Sequence, residues 1–428
     1  MTKEQSTKSV AGDDRPIPEL FSRRWKKRIV IAAVFALILK LGLAWFSPGT
    51  QDVITWEQFV TDDRGLGGVA VYHKPYTSSS FFNHPPFMLH FVGALGWITD
   101  VTGLPVRFCL RLAPSIADVG SAFVLWKIFQ NRSLSKNGEK NSGSAIASFS
   151  PQSLLLFIGV PAMIGISGFH GNTDPIMMFF VLLSVLLLEQ KQPVWIVGLA
   201  FGMSLNIKVA SLVFLFYLPN WRQRIEYSMA VVAAFFCGGL PYLIQDPIFI
   251  LHRVFGYGGS YGAWGISRLL QLEPELGVAI VYQHFGKELL LGALILFSLW
   301  MNGSLRPQNI KKPDLLRQLA LLILLFFTLT PAFGAQYLAW AMPLMLALEM
   351  PAVVVFYGTA SLYLLLNYFL IWNHYPVEAW PPPPLTRILI STEIICWLSV
   401  VVLFLGETRR LARDNRLPQL AESGVSAA

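Results

Sequence analysis

A polar stretch at residues 48–86 lies between strongly apolar runs and holds the side chains best suited to chemistry. Asp52, Trp56 and Glu57 stand near its start, and Asn83-His84-Pro85-Pro86 forms its end. Asp52 and Trp56 are four positions apart, so a short helix would place them on one face. A sheltered carboxylate beside a hydroxyl group could remove its proton as a general base. Local sequence alone favours the alternative, in which Asp52 caps a helix or is a solvated loop acid.

Two histidines and a second aspartate extend the set of candidate residues. His84 could contact a substrate hydroxyl or phosphate, or it could be an ordinary polar residue at the membrane interface. His170 and Asp174 are four positions apart, but two ligands without a third nearby do not predict a metal ion. The dipeptide Asp174-Pro175 is typical of a helix start, with the aspartate as the cap and the proline in the first turn.

Basic side chains recur near the same candidate residues. Arginine binds phosphate oxygens in a bidentate manner, and lysine neutralises phosphate as a point charge. Taken singly, each basic residue is better explained by contact with lipid headgroups. Their recurrence together favours a phosphate site. The residues concerned are Lys208, His252, Arg253 and Arg268.

Composition identifies the elements that must position these groups. Of 428 residues, 54% are hydrophobic and only 14% charged, and the mean hydropathy is +0.52, which indicates an integral membrane protein. Lysine and arginine total 33 against 25 acidic residues, an excess that in such a chain reflects topology, and no nucleic-acid partner is expected. Three widely spaced cysteines in apolar runs form no CxxC pair and predict no disulfide framework or metal site.

The apolar runs predict an all-α polytopic bundle of about twelve transmembrane helices with long external loops that carry interfacial helices. Basic residues concentrate in the predicted inner segments, which places both termini in the cytoplasm. The run 194–218 could be one span or two, and we favour two, broken around Asn206-Ile207-Lys208. The predicted divisions are a basic cytoplasmic tail at 1–28, a single transmembrane catalytic domain at 29–406 with external loops at 48–106 and 245–286, and a cytoplasmic tail at 407–428.

A series of short motifs in this order resembles the GT-C superfamily of glycosyltransferases that use polyprenyl-phosphate sugars. The similar members are bacterial mannosyltransferase-like enzymes and the dolichyl-phosphate-glucose-dependent glucosyltransferases of N-glycan assembly. Each motif is short, so the specificity lies in the series. The motifs are Asp52-x-x-x-Trp56-Glu57, His84-Pro85-Pro86 where relatives have Tyr-Pro-Pro, Arg111 to Asp118, Gly168 to Asp174, Asn206-Ile207-Lys208, Arg253 to Gly265, and Pro331 to Tyr337.

The resemblance implies an inverting transfer of mannose or glucose from a polyprenyl monophosphate carrier to a lipid-linked or other glycan acceptor on the non-cytoplasmic face. It makes Asp52 the general base, and it assigns phosphate stabilisation to Arg253, with Lys208 and Arg268 as further candidates. Relatives in N-glycan assembly carry a His-Glu-Lys triplet where this chain has Ala335-Gln336-Tyr337. The remaining candidate substrate contacts are Trp56, Glu57, His84, His170, Asp174, His252, Gln336 and Tyr337.

Activation resides in the lipid phosphate, so the resemblance implies no cofactor and no metal. The expected partners are the donor, the acceptor and membrane lipids, and the location in a bacterium would be the plasma membrane.

A polytopic transporter or lipid flippase would explain the spans and embedded charges equally well. It gives no reason for two long external loops rich in carboxylate, histidine, arginine and glycine, and transporters more often show a repeat between their halves. A non-catalytic assembly subunit, whose polar loops would only dock a partner, is a third possibility.

Overall fold

The computed structural model describes most of the chain, and all structural statements concern that part. The predicted N-terminal cytoplasmic tail lies largely outside the described part of the chain. The end of the predicted C-terminal tail and two pieces of the second external loop also lie outside it. The described ranges are 23–75, 81–136, 150–216, 221–256, 261–272, 277–301, 313–372 and 383–422.

These ranges are almost entirely helical, and within them the only β-type pairing is a single bridge between Tyr261 and Ala332. The first eight α-helices are α1 (Arg23–Phe46), α2 (Gln51–Leu66), α3 (Phe87–Thr102), α4 (Val106–Lys136), α5 (Pro151–Gly159), α6 (Pro161–Gly165), α7 (Asp174–Glu189) and α8 (Val194–Ile207). The next eight are α9 (Trp221–Leu243), α10 (Pro247–Gly256), α11 (Gly265–Leu272), α12 (Gly277–Met301), α13 (Leu315–Leu329), α14 (Leu338–Ala341), α15 (Met350–Trp372) and α16 (Pro383–Glu422). A π-helical turn covers Ile166–His170, and 3-10 segments cover Gly68–His73, Val209–Phe216, Ala335–Tyr337 and Leu344–Ala347.

Seven helical stretches in the described chain are long and apolar enough to cross a membrane, which confirms an all-α polytopic membrane protein. The number is lower than the twelve spans predicted from hydropathy. Helices α7 and α13 have 16 and 15 residues, fewer than the roughly 20 that a full crossing needs. The apolar residues from 335 to 347 form two 3-10 segments and the four-residue helix α14 instead of a crossing helix.

The predicted break in the run 194–218 is confirmed. Helix α8 ends at Ile207, Lys208 adopts an extended conformation, and the chain continues as a 3-10 segment of eight residues. The second half is therefore too short to be the separate span that we predicted. The side chain of Asn206 donates to the carbonyl of Ala234 in α9 (2.9 Å), which fixes the end of α8 against its neighbour.

A buried ion pair joins the first helix to the fourth. Lys40 of α1 is 2% exposed and bonds to Asp118 of α4, which also accepts a hydrogen bond from the hydroxyl of Ser167 (3.1 Å). Lys40 therefore faces the bundle interior. A Cβ atom at Gly168 would lie 2.8 Å from the Cα of Lys40, so a glycine is needed where the π-helical turn meets α1. These contacts position the π-helical turn that ends at His170.

We expect Lys40→Met to lower the free energy of unfolding by about 3–5 kcal/mol, because it leaves the Asp118 carboxylate buried without its cation. The double variant Lys40→Met/Asp118→Leu should recover most of that loss, since it removes both buried charges. Reversible unfolding in mixed detergent micelles measures both variants. A double variant no more stable than the single one would contradict this account.

Candidate active site

A cavity of about 510 Å³ lies between α2, the segment before α3, the start of the 3-10 segment after α8, and α12 to α14. Its size is within the range of small-molecule sites, and its wall combines aromatic and polar side chains as such sites do. Six of the predicted site residues line it: Asp52, Trp56, His84, Lys208, Gln336 and Tyr337.

Asp52 is held at the start of α2 by contacts that leave one of its oxygens available. The cap of α2 is Thr50, whose hydroxyl accepts from the backbone N–H of Asp52 (3.3 Å) and donates to the carbonyl of His170 (2.9 Å). The local alternative that Asp52 caps the helix is therefore wrong. His170 Nε2 lies 3.0 Å from Asp52 Oδ2, and Asn172 donates to the same oxygen (2.8 Å). No donor on Oδ1 is present among the described residues, and the side chain is 39% exposed towards the cavity.

These contacts also set the ionisation of Asp52. Burial raises the pKa of its carboxyl group, but the charge interaction with His170 and the hydrogen bonds from His170 and Asn172 lower it more. The resulting pKa of Asp52 is about 2, against 3.8 for an ordinary aspartate. The group is therefore a carboxylate throughout the working pH range of most enzymes.

His170 connects Asp52 to a tyrosine on another helix. Its second ring nitrogen, Nδ1, lies 3.1 Å from the hydroxyl of Tyr368 in α15. The following residue, Gly171, has a φ of +75°, and a Cβ atom there would approach Val53 to 2.5 Å. Glycine is thus required at this position for the loop after His170 to pack against α2.

The loops that carry Asp52 and His170 are joined by the fully buried side chain of Arg111 from α4. Its guanidinium donates to the carbonyls of Ala44 (2.7 Å) and Ser47 (3.0 Å), just at the end of α1. It also donates to the carbonyls of Gly168 and Phe169 in the π-helical turn, both at 3.4 Å. One side chain therefore binds the ends of two helical elements whose next residues form the site.

Asp174 has a structural role that differs from the predicted cap. Thr173 occupies the cap position of α7, while the fully buried Asp174 carboxylate accepts from the ammonium of Lys208 (2.9 and 3.1 Å) and from the indole N–H of Trp340. The Lys208 ammonium lies 4.8 Å from the ring centroid of Tyr337 and 5.6 Å from that of Trp340. Asp174 thus lies behind the cavity wall and positions a lysine and two aromatic rings that line it.

His84 forms an aromatic part of the wall opposite Lys208. Its ring lies 4.8 Å from that of Trp56 and 5.5 Å from that of Phe82, measured between centroids. Burial lowers the pKa of His84, Lys208 lowers it further and Asp52 partly opposes this, so that the pKa is about 3. The imidazole is therefore neutral at physiological pH and can either donate or accept a hydrogen bond.

Six predicted site residues do not line the cavity, and two of them, His170 and Asp174, contact residues that do. The guanidinium of Arg253 lies 4.3 Å from the ring centroid of Phe81, which does line the cavity, and donates to the carbonyl of Lys74 (2.7 Å). Arg268 forms an ion pair with the buried carboxylate of Glu393 (3.1 Å). The remaining two, Glu57 and His252, contribute nothing to the wall.

Sequence reasoning missed several residues that the structure brings to the site. Asn172 lies between His170 and Asp174 in the motif Gly168 to Asp174, so its place in that motif could have identified it as a site residue. Lys287 interrupts an apolar helix, and a charge within a membrane span is by default a sign of function. Tyr368 and Trp340 gave no signal, because aromatic residues are common in apolar runs.

The fold and the cavity define a polytopic membrane protein with a polar site enclosed between its helices. Residues 81–257 match the model of Glycosyltransferase family 87, a membrane family of the GT-C type, over less than half of the 428 residues. This match indicates a membrane glycosyltransferase. The matched segment contains His84, His170 and Lys208, while Asp52 and Lys287 lie outside it. No curated protein matches the chain.

The Arg111 contacts predict a large stability effect. Arg111→Met should lower the free energy of unfolding by at least about 3 kcal/mol, because it leaves several buried carbonyls without a donor. Arg111→Lys should recover little of this, since an ammonium cannot reproduce the planar fork of donors. The matched control is Arg107→Met, which removes an exposed arginine one turn earlier on α4 and should be nearly neutral. Equal losses for the two methionine variants in micelle unfolding would contradict the proposed role of Arg111.

Proposed function

We propose that the protein transfers a hexose, mannose or glucose, from a polyprenyl monophosphate carrier to an acceptor hydroxyl on the non-cytoplasmic face of the membrane. Asp52 is the general base and the transfer inverts the anomeric centre. The observation that carries this proposal is the geometry of Asp52, which lines the cavity and is held through one oxygen by His170 and Asn172, while no described residue donates to the other oxygen. The family match supports the reaction class, and the sequence resemblance supports the donor class.

In the proposed reaction the acceptor oxygen attacks the anomeric carbon from the side opposite the phosphate. A bond forms between that carbon and the acceptor oxygen, and the bond between the carbon and the phosphate oxygen breaks. The acceptor proton passes to Oδ1 of Asp52, and the electron pair of the broken bond leaves with the polyprenyl phosphate. Because Oδ2 keeps its two hydrogen bonds, Asp52 need not rotate to receive the proton.

The rest of the wall suits a sugar. The aromatic side chains of Trp56, Tyr337 and Trp340 line the cavity together with the polar side chains of Asn83, His84 and Gln336. Hydroxyl groups of a hexose need such partners, because a polar group enclosed without a hydrogen bond is costly.

The transporter alternative is less well supported, because the family match indicates glycosyl transfer and the carboxylate is fixed at the wall of one cavity.

Replacement of the proposed base tests this function directly. Asp52→Asn should lower kcat for hexose transfer by a factor of about 10²–10⁴, the usual contribution of a general base. The assay uses purified protein in nanodiscs with polyprenyl-phosphate mannose and polyprenyl-phosphate glucose as donors. Asp100→Asn, at an exposed aspartate paired with Arg64, is the control and should keep full activity. An Asp52→Asn variant with wild-type kcat and expression would rule out this base.

The pH profile provides a second test. A base must be deprotonated to act, so the rate falls as the pH drops through the pKa of the base. The pKa of Asp52 is about 2. In the wild type, protonation of Asp52 should therefore not reduce the rate above about pH 4. In His170→Gln the main influence that lowers the pKa of Asp52 is lost while its burial remains, so the pKa rises and the acid limb should move towards neutral pH. Profiles of kcat/KM measure this shift. His90→Gln, outside the cavity wall, should leave the profile unchanged.

A further inference from the structure

The hydroxyl of Tyr368 in α15 has a single hydrogen-bond partner among the described residues. Its oxygen lies 3.1 Å from Nδ1 of His170, whose other ring nitrogen, Nε2, lies 3.0 Å from Oδ2 of Asp52. Tyr368 does not line the cavity, and it lies outside residues 81–257, which match the family model. The three side chains form one chain of hydrogen bonds that begins at the cavity wall and ends inside the bundle.

The packing around Tyr368 fixes the place of its ring. The side chain is 6% exposed, and its ring centroid lies 5.2 Å from that of Phe169, the residue before His170. On the other side, a Cβ atom at Gly165 of α6 would lie 2.8 Å from the ring of Tyr368. Only a glycine therefore leaves room there for the ring as it stands. The hydroxyl is held beside the histidine by the fold around it.

A hydroxyl group is suited to both protonation states of the histidine that it contacts. The carboxylate of Asp52 can only accept, so the hydrogen bond between it and His170 requires a proton on Nε2. In the neutral imidazole Nδ1 is then an acceptor, and the hydroxyl of Tyr368 donates to it. In the imidazolium Nδ1 carries a proton and donates to the hydroxyl oxygen. The bond from Nε2 to Asp52 is supported in either state, because the partner of one ring nitrogen decides the role of the other.

We propose that Tyr368 is a positioning residue for the general base: its hydroxyl keeps a proton on Nε2 of His170, directed at Oδ2 of Asp52. This inference rests on the proposed function, in which Oδ1 takes the acceptor proton. Without the hydroxyl, a neutral His170 can carry its proton on Nδ1 instead. Nε2 then presents a lone pair to the carboxylate and repels it, and Oδ2 keeps only the hydrogen bond from Asn172.

The other titratable groups around Asp52 stay in place when this hydroxyl is removed. Lys208 also lowers the pKa of Asp52, and its ammonium bonds to the buried carboxylate of Asp174. The imidazole of His84 and the phenol of Tyr337 lie close enough to interact electrostatically with Asp52. Among the described residues, no hydrogen bond joins the tyrosine of α15 to any of these groups. A change caused by loss of its hydroxyl therefore passes through the histidine.

Removal of the hydroxyl tests this role. Tyr368→Phe should lower kcat by about 10–100-fold, the usual effect of losing a group that orients a functional histidine. The acid limb of kcat/KM should move towards neutral pH, as in His170→Gln but less far, because the imidazole is still present beside Asp52. The control is Tyr357→Phe, which removes another buried hydroxyl of α15, one that donates to the carbonyl of Met342 (2.7 Å), and should leave rate and profile unchanged. An acid limb that does not move in Tyr368→Phe would overturn the proposal.

A double variant separates positioning through the histidine from a general effect on the bundle. His170→Gln/Tyr368→Phe should match His170→Gln in kcat and in the position of its acid limb, because the tyrosine acts only through the residue already replaced. Losses that add in the double variant would show that the two residues act independently, which contradicts the proposal.

Direct observation of the histidine protons distinguishes this inference from the proposed function. Nitrogen NMR of bilayer-embedded protein with isotope-labelled histidine shows which ring nitrogen is protonated, and the signals of His170 are those absent in His170→Gln. Protonation of Nε2 in the wild type, with loss of that proton to Nδ1 in part of the Tyr368→Phe molecules, supports the positioning role. With this result but no transfer from any lipid-linked hexose, the proposed function fails and the orientation of His170 stands. With transfer intact but equal protonation of Nε2 in both proteins, the role of Tyr368 fails and the proposed function stands.

Discussion

The guanidinium of Arg111 is the contact on which the site depends. The last carbonyls of a helix have no partner within that helix and carry the negative end of its dipole. The carbonyls concerned belong to buried residues, so a buried cation with several donors is a suitable partner for two such ends at once. Arg111 fills this role for α1 and for the π-helical turn, and among the described residues its hydrogen bonds all go to uncharged oxygens. Because these two ends are fixed together, Thr50 can bond to His170, and Asp52 begins its helix beside that histidine.

A second polar layer lies deeper in the bundle, where Lys40, Asp118 and Ser167 join α1, α4 and the same turn. Buried ion pairs contribute little net stability, because desolvation of both charges offsets their attraction. In this protein the buried ion pair instead serves to select one arrangement of the helices that it joins. Apolar helix faces in lipid pack in several arrangements of similar energy, whereas an unpaired charge excludes most of them. The Asp174–Lys208 pair acts in the same way on the opposite wall, where it also positions Tyr337 and Trp340. Three polar contacts between distant segments thus define the shape of the cavity.

Composition was sufficient to predict the all-α membrane class, and the polar residues Asn206 and Lys208 were sufficient to predict the break after α8. The resemblance assigned Asp52, His170 and Lys208 to one site, and in the structure Asp52 lies 3.0 Å from His170 and lines one cavity with Lys208. Other features depend on contacts that local sequence does not encode. Arg253 was a reasonable phosphate ligand by residue type, yet in the structure it packs against Phe81, bonds to the carbonyl of Lys74 and does not line the cavity. Asp174 fits a cap pattern, but its partner lies 34 positions away on a segment whose extended conformation at Lys208 makes the contact possible. Hydropathy also counted short and broken helices as full spans, because apolar content does not distinguish a crossing helix from a buried one.

The low pKa of Asp52 has a consequence for the order of events in the proposed transfer. A carboxylate with a pKa of about 2 is a weak base towards a free sugar hydroxyl, whose proton it would not remove before attack. As the acceptor oxygen bonds to the anomeric carbon it gains positive charge, and its proton becomes acidic enough for a weak base to take. In the proposed transfer the proton therefore moves to Asp52 as this bond forms, within the same transition state. The other demand of the proposed reaction is the charge that develops at the leaving phosphate, which favours a cation in the cavity wall beside the carboxylate.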